Sequence, residues 1–247
     1  MARRLACVFA HPDDETFAVG GTLARYAAAG VTVDLFCVTD GDAGRSSGVP
    51  ISSRAALGTA RRSELAEAAR ILGVSSVESA GEYDGTLHQT DPDSLIGRIV
   101  GFLRRARPHV VITFGPEGAP TGHRDHRAVS RATTAAFFLA GIPTENPEQL
   151  ADGVAPHRGS RLFYTAWEPP PPGAELTLRS VPATASIDVR AFRDTIIAAF
   201  RAHRTQRDFE QRFMTEALKD VEQFALAAGV PQPSAMVTDL FDGLPAD

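Results

Sequence analysis

Apolar residues along the first half of the chain form short continuous runs that alternate with segments of helical spacing. Continuous apolar runs indicate buried strands, whereas apolar residues three and four positions apart indicate amphipathic helices. The runs predict strands over Leu5–Ala10, Val31–Thr39, Val74–Ser79, Val110–Phe114, Arg161–Trp167 and Ala185–Val189. The helical spacing predicts helices over Thr16–Ala29, Arg54–Leu72, Asp91–Ala106, Gly122–Leu139 and Ala191–His203. Strands that alternate with helices are typical of an α/β fold with a mostly parallel sheet.

The later part of the chain carries weaker signals. Gly141–Ser160 is rich in Pro, Gly and polar residues, which predicts a long surface loop. The segment from Pro231 onward shows little periodicity. Neither an internal repeat nor a linker composition divides the chain, so residues 1–247 are expected to form a single domain.

Composition narrows the classes of function. The chain has 25 basic and 30 acidic residues and a net charge of -5, which disfavours a general nucleic-acid binder. No apolar run approaches the roughly 20 residues of a membrane span, and Leu5–Ala10 is too short for the core of a signal peptide. Cys7 and Cys37 lie within apolar runs and are expected to be buried and free. These features predict a cytoplasmic protein.

A first cluster of polar residues, His11-Pro12-Asp13-Asp14-Glu15, follows the first predicted strand directly. Ligands of open parallel sheets bind at the carboxyl ends of the strands, so this position is a candidate site. One imidazole and several carboxylates can ligate a metal ion and leave a carboxylate free. Acidic residues are also typical of a helix N-terminus, where they cap free N–H groups and complement the dipole. His11 and Pro12 add nothing to such a cap and favour the metal site.

A second cluster, Gly122-His123-Arg124-Asp125-His126, follows the clearest predicted strand. Two histidines at positions i and i+3 share one helical face, a spacing that suits one metal ion or one ligand plus a proton-transfer group. Such a pair is weak evidence alone, because structural histidines often produce it. Its position across a predicted topological break from His11 is what makes it a candidate.

Together the two clusters offer His11, Asp14 and His126 as a site of two imidazoles and one carboxylate with room for water. Hard carboxylate and imidazole ligands without a thiolate suit a catalytic Zn²⁺ ion, and Fe²⁺ and Mn²⁺ remain open. The spacing therefore predicts a metal site.

At these residues the chain resembles the LmbE-like family, which includes the N-acetylglucosaminyl-phosphatidylinositol deacetylases (PIG-L). The resemblance covers most of the first 130 residues and extends thinly over the rest. Its motifs are Ala10–Glu15, Thr39–Gly41, Arg61–Leu65 with Leu72-Gly73, Tyr83–Gly85, Phe114–Pro116, Gly122–His126 and His203–Gln206.

The resemblance implies a Rossmann-like three-layer fold and a Zn²⁺-dependent enzyme that removes the acetyl group from an N-acetylglucosamine-type amide. It implies that the metal ligands are His11, Asp14 and His126. Asp13 would then be the general base, and His123 would stabilise the oxyanion or protonate the amine. By the same resemblance, Arg61 and Asp84 match positions that contact sugar hydroxyls, although solvated surface roles are also open for both.

The chain departs from the resemblance at one position, because some members carry a Tyr where this sequence has Thr121. The expected partner is a small N-acetylated sugar or glycoconjugate rather than nucleic acid or a membrane, and a homo-oligomer is left open. Substrate specificity is expected to lie in the loops Asp42–Arg54 and Gly141–Ser160.

Two other functions stay open from the residues alone. A metal-dependent hydrolase of a different bond, such as a phosphoester, would need more ligands than the sequence offers if it used two metal ions. A non-catalytic nucleotide-binding Rossmann protein would place a Gly-x-Gly-x-x-Gly loop after the first strand. Here that loop holds acidic residues, which would repel a phosphate, and Gly20-Gly21 comes too late.

Overall fold

The fold is built on one seven-stranded sheet, seen in a computed structural model that describes residues 2–151, 153–167 and 180–245. In chain order the strands are β1 (Arg4–Phe9), β2 (Thr32–Thr39), β3 (Ser76–Glu82), β4 (Val110–Thr113), β5 (Arg161–Ala166), β6 (Ala185–Asp188) and β7 (Val221–Gly229). The longer helices are α1 (Asp14–Ala28), α2 (Arg54–Leu72), α3 (Pro92–Ala106), α4 (Arg124–Leu139) and α5 (Arg193–Ala202).

The order of the strands is β3-β2-β1-β4-β5-β7-β6. The first five are parallel to one another, and β7 is antiparallel to both of its neighbours. Helices α1, α2 and α5 pack together, and α3 packs against α4. The predicted α/β fold with a mostly parallel sheet is confirmed, whereas the single domain over residues 1–247 stays a prediction.

The sheet reverses its direction of growth between β1 and β4. From β1 the chain adds β2 and β3 on one side, then returns to add β4 and β5 on the other. The loops after β1 and β4 therefore diverge and leave a crevice at the carboxyl ends of these two strands. The first cluster follows β1 and the second follows β4, so the topology brings both to the same crevice.

Strand β7 is the element that the sequence pattern did not predict. Its residues are mainly Ala, Glu, Gln and Leu, which have no strong preference for strands. It forms because it fills the space between β5 and β6, where Phe224 and Ala225 are fully buried.

Strand β7 also supports a break in helix α1. Val19 has non-helical backbone angles, so the helix restarts beyond it and leaves free N–H groups. The buried Glu222 carboxylate accepts hydrogen bonds from two of them, those of Gly21 (2.9 Å) and Thr22 (2.8 Å). Gly21 itself lies against Val189 so closely that an added Cβ would come within 2.4 Å of it. The helix is thus held on the sheet at its break.

The loop Gly141–Ser160 does not lie where substrate specificity would require it. It connects the end of α4 to the start of β5, which is parallel to β4, so it lies at the amino edge of the sheet. Its His157 Nε2 lies 2.8 Å from the carbonyl oxygen of Pro108, just before β4. The candidate site is at the opposite edge, so the prediction that this loop sets specificity is wrong.

The burial predicted for the two cysteines is confirmed, since Cys7 and Cys37 are both buried and free. Among the described residues, no helix is long and apolar enough to cross a membrane.

Burial of Glu222 gives a testable dependence of stability on pH. Burial raises the pKa of Glu222 from 4.5 to about 7, although hydrogen bonds from Thr22 and Gly21 oppose the rise. The folded protein therefore holds this proton more tightly than the unfolded chain does. The free energy of unfolding should fall as pH rises from about 4.5 to about 7, by up to about 3 kcal/mol from this group.

Glu222→Gln removes the titrating group, and urea unfolding at pH 5 and pH 7 measures the effect. The variant should lose less stability between the two pH values than the wild type does. Glu216→Gln, at an exposed position, is the matched control and should keep the wild-type difference. If Glu222→Gln lost as much unfolding free energy between pH 5 and pH 7 as the wild type does, Glu222 would not be the group responsible.

Candidate metal centre at the ends of strands β1 and β4

The three predicted metal ligands lie together in the crevice. Asp14 Oδ2 is 3.3 Å from His11 Nδ1, and Asp14 Oδ1 is 3.3 Å from His126 Nε2. The ring centroids of His11 and His126 are 5.3 Å apart. All three side chains are at most about one-tenth exposed. More than a hundred residues of sequence thus separate groups that the sheet places in contact.

These donor atoms suit a divalent metal ion. Ligand atoms bound tetrahedrally at about 2.0–2.1 Å lie about 3.3 Å from one another. Asp14 lies at this distance from each imidazole, through Oδ2 to His11 and through Oδ1 to His126. One ring nitrogen of His123 also lies within 4.8 Å of a nitrogen of His11 and one of His126. The residues therefore fit a metal ion, while their donor types do not decide among Zn²⁺, Fe²⁺ and Mn²⁺.

The His11 ring has two chemically different sides. Its Nδ1 faces Asp14, whereas its Nε2 lies 2.9 Å from Asp84 Oδ1 and 3.4 Å from Asp125 Oδ2. Burial lowers the pKa of His11, but the hydrogen bonds to Asp125, Asp14 and Asp84 outweigh it and hold that pKa well above its usual value. Without a metal ion the positively charged ring is therefore favoured, and a metal ion would have to replace its Nδ1 proton. Because Nε2–H would still donate to Asp84 and Asp125, Nδ1 is the nitrogen that would ligate the ion.

His126 is held by an aromatic partner at the end of β4. Its ring stacks on Phe114 with centroids 3.9 Å apart and planes 3° apart. Its Nδ1 is buried and has no hydrogen-bond partner among the described residues. The stack fixes the ring, so Nε2 points at Asp14.

His123 begins helix α4 and faces the same crevice. Its Nδ1 accepts a hydrogen bond from the Asp125 backbone N–H at 3.2 Å, which caps the helix. Its ring meets His11 edge-on, with centroids 4.8 Å apart. Burial, His11 and His126 all lower the pKa of His123, so the neutral ring is favoured. The capping bond then places the proton of the neutral ring on Nε2.

Asp13 has an unusual backbone conformation beside the cluster. Its φ of 126° lies in a region that non-glycine residues rarely adopt. Its Oδ2 accepts a hydrogen bond from Arg61 at 3.0 Å. Burial raises the pKa of Asp13 to about 6, against the lowering effect of Arg61 and with a contribution from Asp14. The carboxylate next to the predicted ligands is therefore held in a fixed orientation.

The two residues predicted to contact sugar hydroxyls are largely buried, which excludes the solvated surface roles. Asp84 is 8% exposed and Arg61 is 3% exposed. The Arg61 guanidinium donates to the carbonyl oxygens of Gly41 and Pro12 as well as to Asp13. Both side chains thus have protein partners next to the site, and their contact with sugar stays a prediction.

Three neighbours of the cluster make contacts that sequence reasoning did not predict. Asp125 is fully buried and accepts hydrogen bonds from the backbone N–H groups of Gly85 (2.6 Å) and Leu87 (3.1 Å), which ties the loop after β3 to α4. Glu15 and His203 form a buried pair at 2.8 Å. Asp125 and Glu15 belong to the two clusters, but nothing in their spacing shows what they contact.

Thr121 lies next to the N-terminal cap of α4. Some members of the LmbE-like family carry a Tyr at this position. The Thr121 Oγ1 accepts a hydrogen bond from the His123 backbone N–H at 3.3 Å. The threonine side chain therefore contacts the backbone of His123 rather than extending over the cluster.

The fold and the site define a Rossmann-like α/β protein whose crevice holds a His/Asp cluster suited to a cation. The sequence profile of the GlcNAc-PI de-N-acetylase (PIG-L) family matches residues 6–137. The chain belongs to this family, which confirms the LmbE-like resemblance and the Rossmann-like fold.

Individual relatives match over nearly the whole chain. A 1D-myo-inositol 2-acetamido-2-deoxy-alpha-D-glucopyranoside deacetylase of Rhodococcus erythropolis is 33% identical, over 98% of this chain and 98% of its own. The enzyme of the same name from Mycobacteroides abscessus is 32% identical, also over 98% of each chain.

Solved structures share the fold. The N,N'-diacetylchitobiose deacetylase of Pyrococcus horikoshii has a TM-score of 0.73 and 23% identity, over 91% of this chain and 84% of its own. A conserved protein of Thermus thermophilus has a TM-score of 0.67 and 29% identity, over 92% and 96% of the two chains.

Proposed function

We propose that this protein removes the acetyl group from an N-acetylglucosamine-type substrate with a Zn²⁺ ion held by His11, Asp14 and His126. The observation that carries the proposal is the contact of these three side chains in one crevice, with the Asp13 carboxylate beside them. Family membership and the deacetylases among its relatives support the choice of reaction.

An amide resists hydrolysis because its carbonyl carbon is a weak electrophile and an amine leaves poorly. When bound, a divalent ion supplies a Lewis acid for the carbonyl and lowers the pKa of water towards about 7. The protein must then supply a base for the water, a donor for the developing oxyanion and a proton for the amine.

Asp13 is the proposed base. Its carboxylate takes a proton from the attacking water and, once protonated, can give that proton to the leaving nitrogen. The Arg61 contact fixes Oδ2 (3.0 Å), so the carboxylate keeps one orientation through both transfers. The same group thus serves as base and then as acid.

His123 is the proposed oxyanion donor, and it acts as a neutral ring. Its Nδ1 is engaged as the acceptor of the helix cap, so Nε2–H is the group left to donate to the oxyanion. A neutral imidazole has no second proton to give to the amine. This geometry favours oxyanion stabilisation over the alternative in which His123 protonates the leaving group.

The substrate is proposed to be a small N-acetylated sugar or glycoconjugate. The loop Asp42–Arg54 follows β2 at the same edge of the sheet, and the backbone N–H of its Ala43 donates to Asp84 Oδ2 at 3.3 Å. This loop remains the proposed specificity element. Arg61 and Asp84 are proposed to reach sugar hydroxyls only through the parts of their side chains not already bonded to protein.

The first prediction from this proposed function tests the reaction itself. Amine release should be measured over a panel of N-acetylglucosamine, N,N'-diacetylchitobiose and an N-acetylglucosaminyl inositol. At least one should be deacetylated, a chelator should abolish the activity, and added Zn²⁺ should restore it. Parallel readdition of Fe²⁺ and Mn²⁺ identifies the preferred metal. Activity that survives full removal of metal would overturn the proposal.

The second prediction separates the adjacent aspartates. Asp14→Asn removes an anionic ligand, so the protein should lose affinity for Zn²⁺. Asp13→Asn keeps the three proposed ligands but removes the base, so bound metal should persist while kcat falls by roughly 10²–10⁴. Metal content and kcat decide the matter. Loss of metal from Asp13→Asn, with Asp14→Asn still loaded, would show that the roles are reversed.

The third prediction separates the two functions of His123. In His123→Asn the side-chain oxygen can still cap α4, whereas His123→Ala removes the cap and should cost about 1 kcal/mol of stability. Both variants lack the Nε2–H donor, so both should lose roughly 10²–10³ in kcat. Thermal unfolding and kcat are the two measurements. Full activity in His123→Asn would exclude the ring as the oxyanion donor.

A further inference from the structure

The backbone of Asp13 is strained and must be held in place. Only three non-glycine residues of the described chain have positive φ, and at 126° Asp13 has the largest of these angles. A conformation of this kind persists only where the surroundings fix it, and such positions concentrate at functional sites. The groups that fix Asp13 therefore determine where its carboxylate points.

Two buried side chains contact Asp13, one at its backbone and one at its carboxylate. Glu15 Oε2 accepts a hydrogen bond from the Asp13 backbone N–H at 3.0 Å. Arg61 donates to Asp13 Oδ2 at 3.0 Å and to the carbonyl oxygen of Pro12 at 2.5 Å. Glu15 is 1% exposed. One contact thus holds the backbone of Asp13 and the other holds its carboxylate.

Glu15 is itself positioned by a residue 188 positions away in the sequence. His203, at the end of α5, contacts Glu15 Oε1 through Nε2 at 2.8 Å, and Thr16 Oγ1 donates to the same oxygen. His203 is 1% exposed, and its Nδ1 has no hydrogen-bond partner among the described residues. All of its hydrogen bonding through the ring is therefore directed at Glu15.

The segment that carries His203 is fastened to the same helix as Arg61. Thr205 donates through its backbone N–H and its hydroxyl to the two oxygens of Glu64, at 3.1 and 2.7 Å. Glu64 lies on α2, three positions after Arg61. Helix α2 thus supplies one contact to Asp13 directly and anchors the segment that supplies the other.

We propose that His203, acting through Glu15, and Arg61 are positioning residues that keep the Asp13 carboxylate aimed at the reacting water. The inference rests on the proposed role of Asp13 as the base. It gives a function to the His203–Gln206 motif, and it assigns Arg61 to Asp13 in addition to any contact with sugar.

His203→Leu and His203→Gln test the first half of this assignment. In the Gln variant a side-chain N–H can still donate to Glu15, whereas the Leu variant has no donor. In His203→Leu, kcat should fall about 10- to 100-fold, because small displacements of a reacting group carry costs of this size. KM and bound metal should be unchanged, and His203→Gln should recover most of the lost kcat.

His157→Leu is the matched control. His157 is half-buried and bonds to the carbonyl oxygen of Pro108 at the opposite edge of the sheet, so its loss should leave kcat unchanged. Equal kcat in His203→Leu and the wild type would overturn the inference. Equal impairment of the Leu and Gln variants would overturn it as well, because the hydrogen bond would then be irrelevant.

Arg61→Lys tests the proposed role of Arg61 in positioning Asp13. It can be measured even if His203→Leu does not fold. Lysine keeps the charge, but its single nitrogen cannot span the acceptors that two guanidinium nitrogens reach, so kcat should fall whether or not a lost sugar contact also raises KM. A rise in KM without a fall in kcat would instead assign Arg61 to the substrate and exclude positioning.

A stability measurement tests the positioning of Asp13 independently of catalysis. Glycine relieves the strain at position 13 and alanine does not, so Asp13→Gly should melt a few degrees above Asp13→Ala. The gap should shrink when His203→Leu is added, because the backbone is then free to relax. A gap that persists undiminished overturns the role of His203. A wild-type protein without chelator-sensitive amine release would contradict the proposed function, and the difference in melting temperature would still report whether His203 holds the backbone of Asp13.

Discussion

Three carboxylates contact the imidazole of His11, and this concentration of negative charge is the constraint on which the site depends. Asp14, Asp84 and Asp125 are all buried, and buried like charges are unfavourable unless donors or a cation offset them. Backbone N–H groups of the loop after β3 donate to Asp125, and the N-termini of α1 and α4 both point into the crevice. The site thus favours positive charge, and it lies where the sheet reverses its direction of growth between β1 and β4.

The elements that the sequence predicts best are those whose burial shows as an apolar run or as helical spacing. Strands β1 to β6 and helices α1 to α5 all lie close to their predicted positions. Strand β7 carries neither signal, because its position is set by the two strands beside it. The proposed ligand set was predictable because His11, Asp14 and His126 fall in two short clusters after strands. The contacts of Glu15 and Arg61 were not, because each depends on a partner far away in sequence.

Arg61 shows how a residue type can indicate a site without indicating its partner. An arginine next to candidate ligands is compatible with a sugar hydroxyl, a carboxylate or backbone carbonyls. Its burial and its three protein acceptors favour an internal role, which only the path of the chain at Pro12 and Gly41 reveals. A contact between elements separated by dozens of residues leaves no periodic trace, so pattern analysis cannot find it.

The placement of His203 bears on what counts as the minimal enzyme. The family profile ends at residue 137, and every proposed ligand lies before that point. Yet Glu15 is held from position 203, and the break in α1 is capped from position 222. A half-length fragment would contain all the proposed ligands without the supports that orient their neighbours. Transplanting the two histidine clusters into another Rossmann-like scaffold would meet the same problem. The proposed site therefore requires the folded sheet together with strand β7, and the sequence motifs that identify the family are not sufficient to form it.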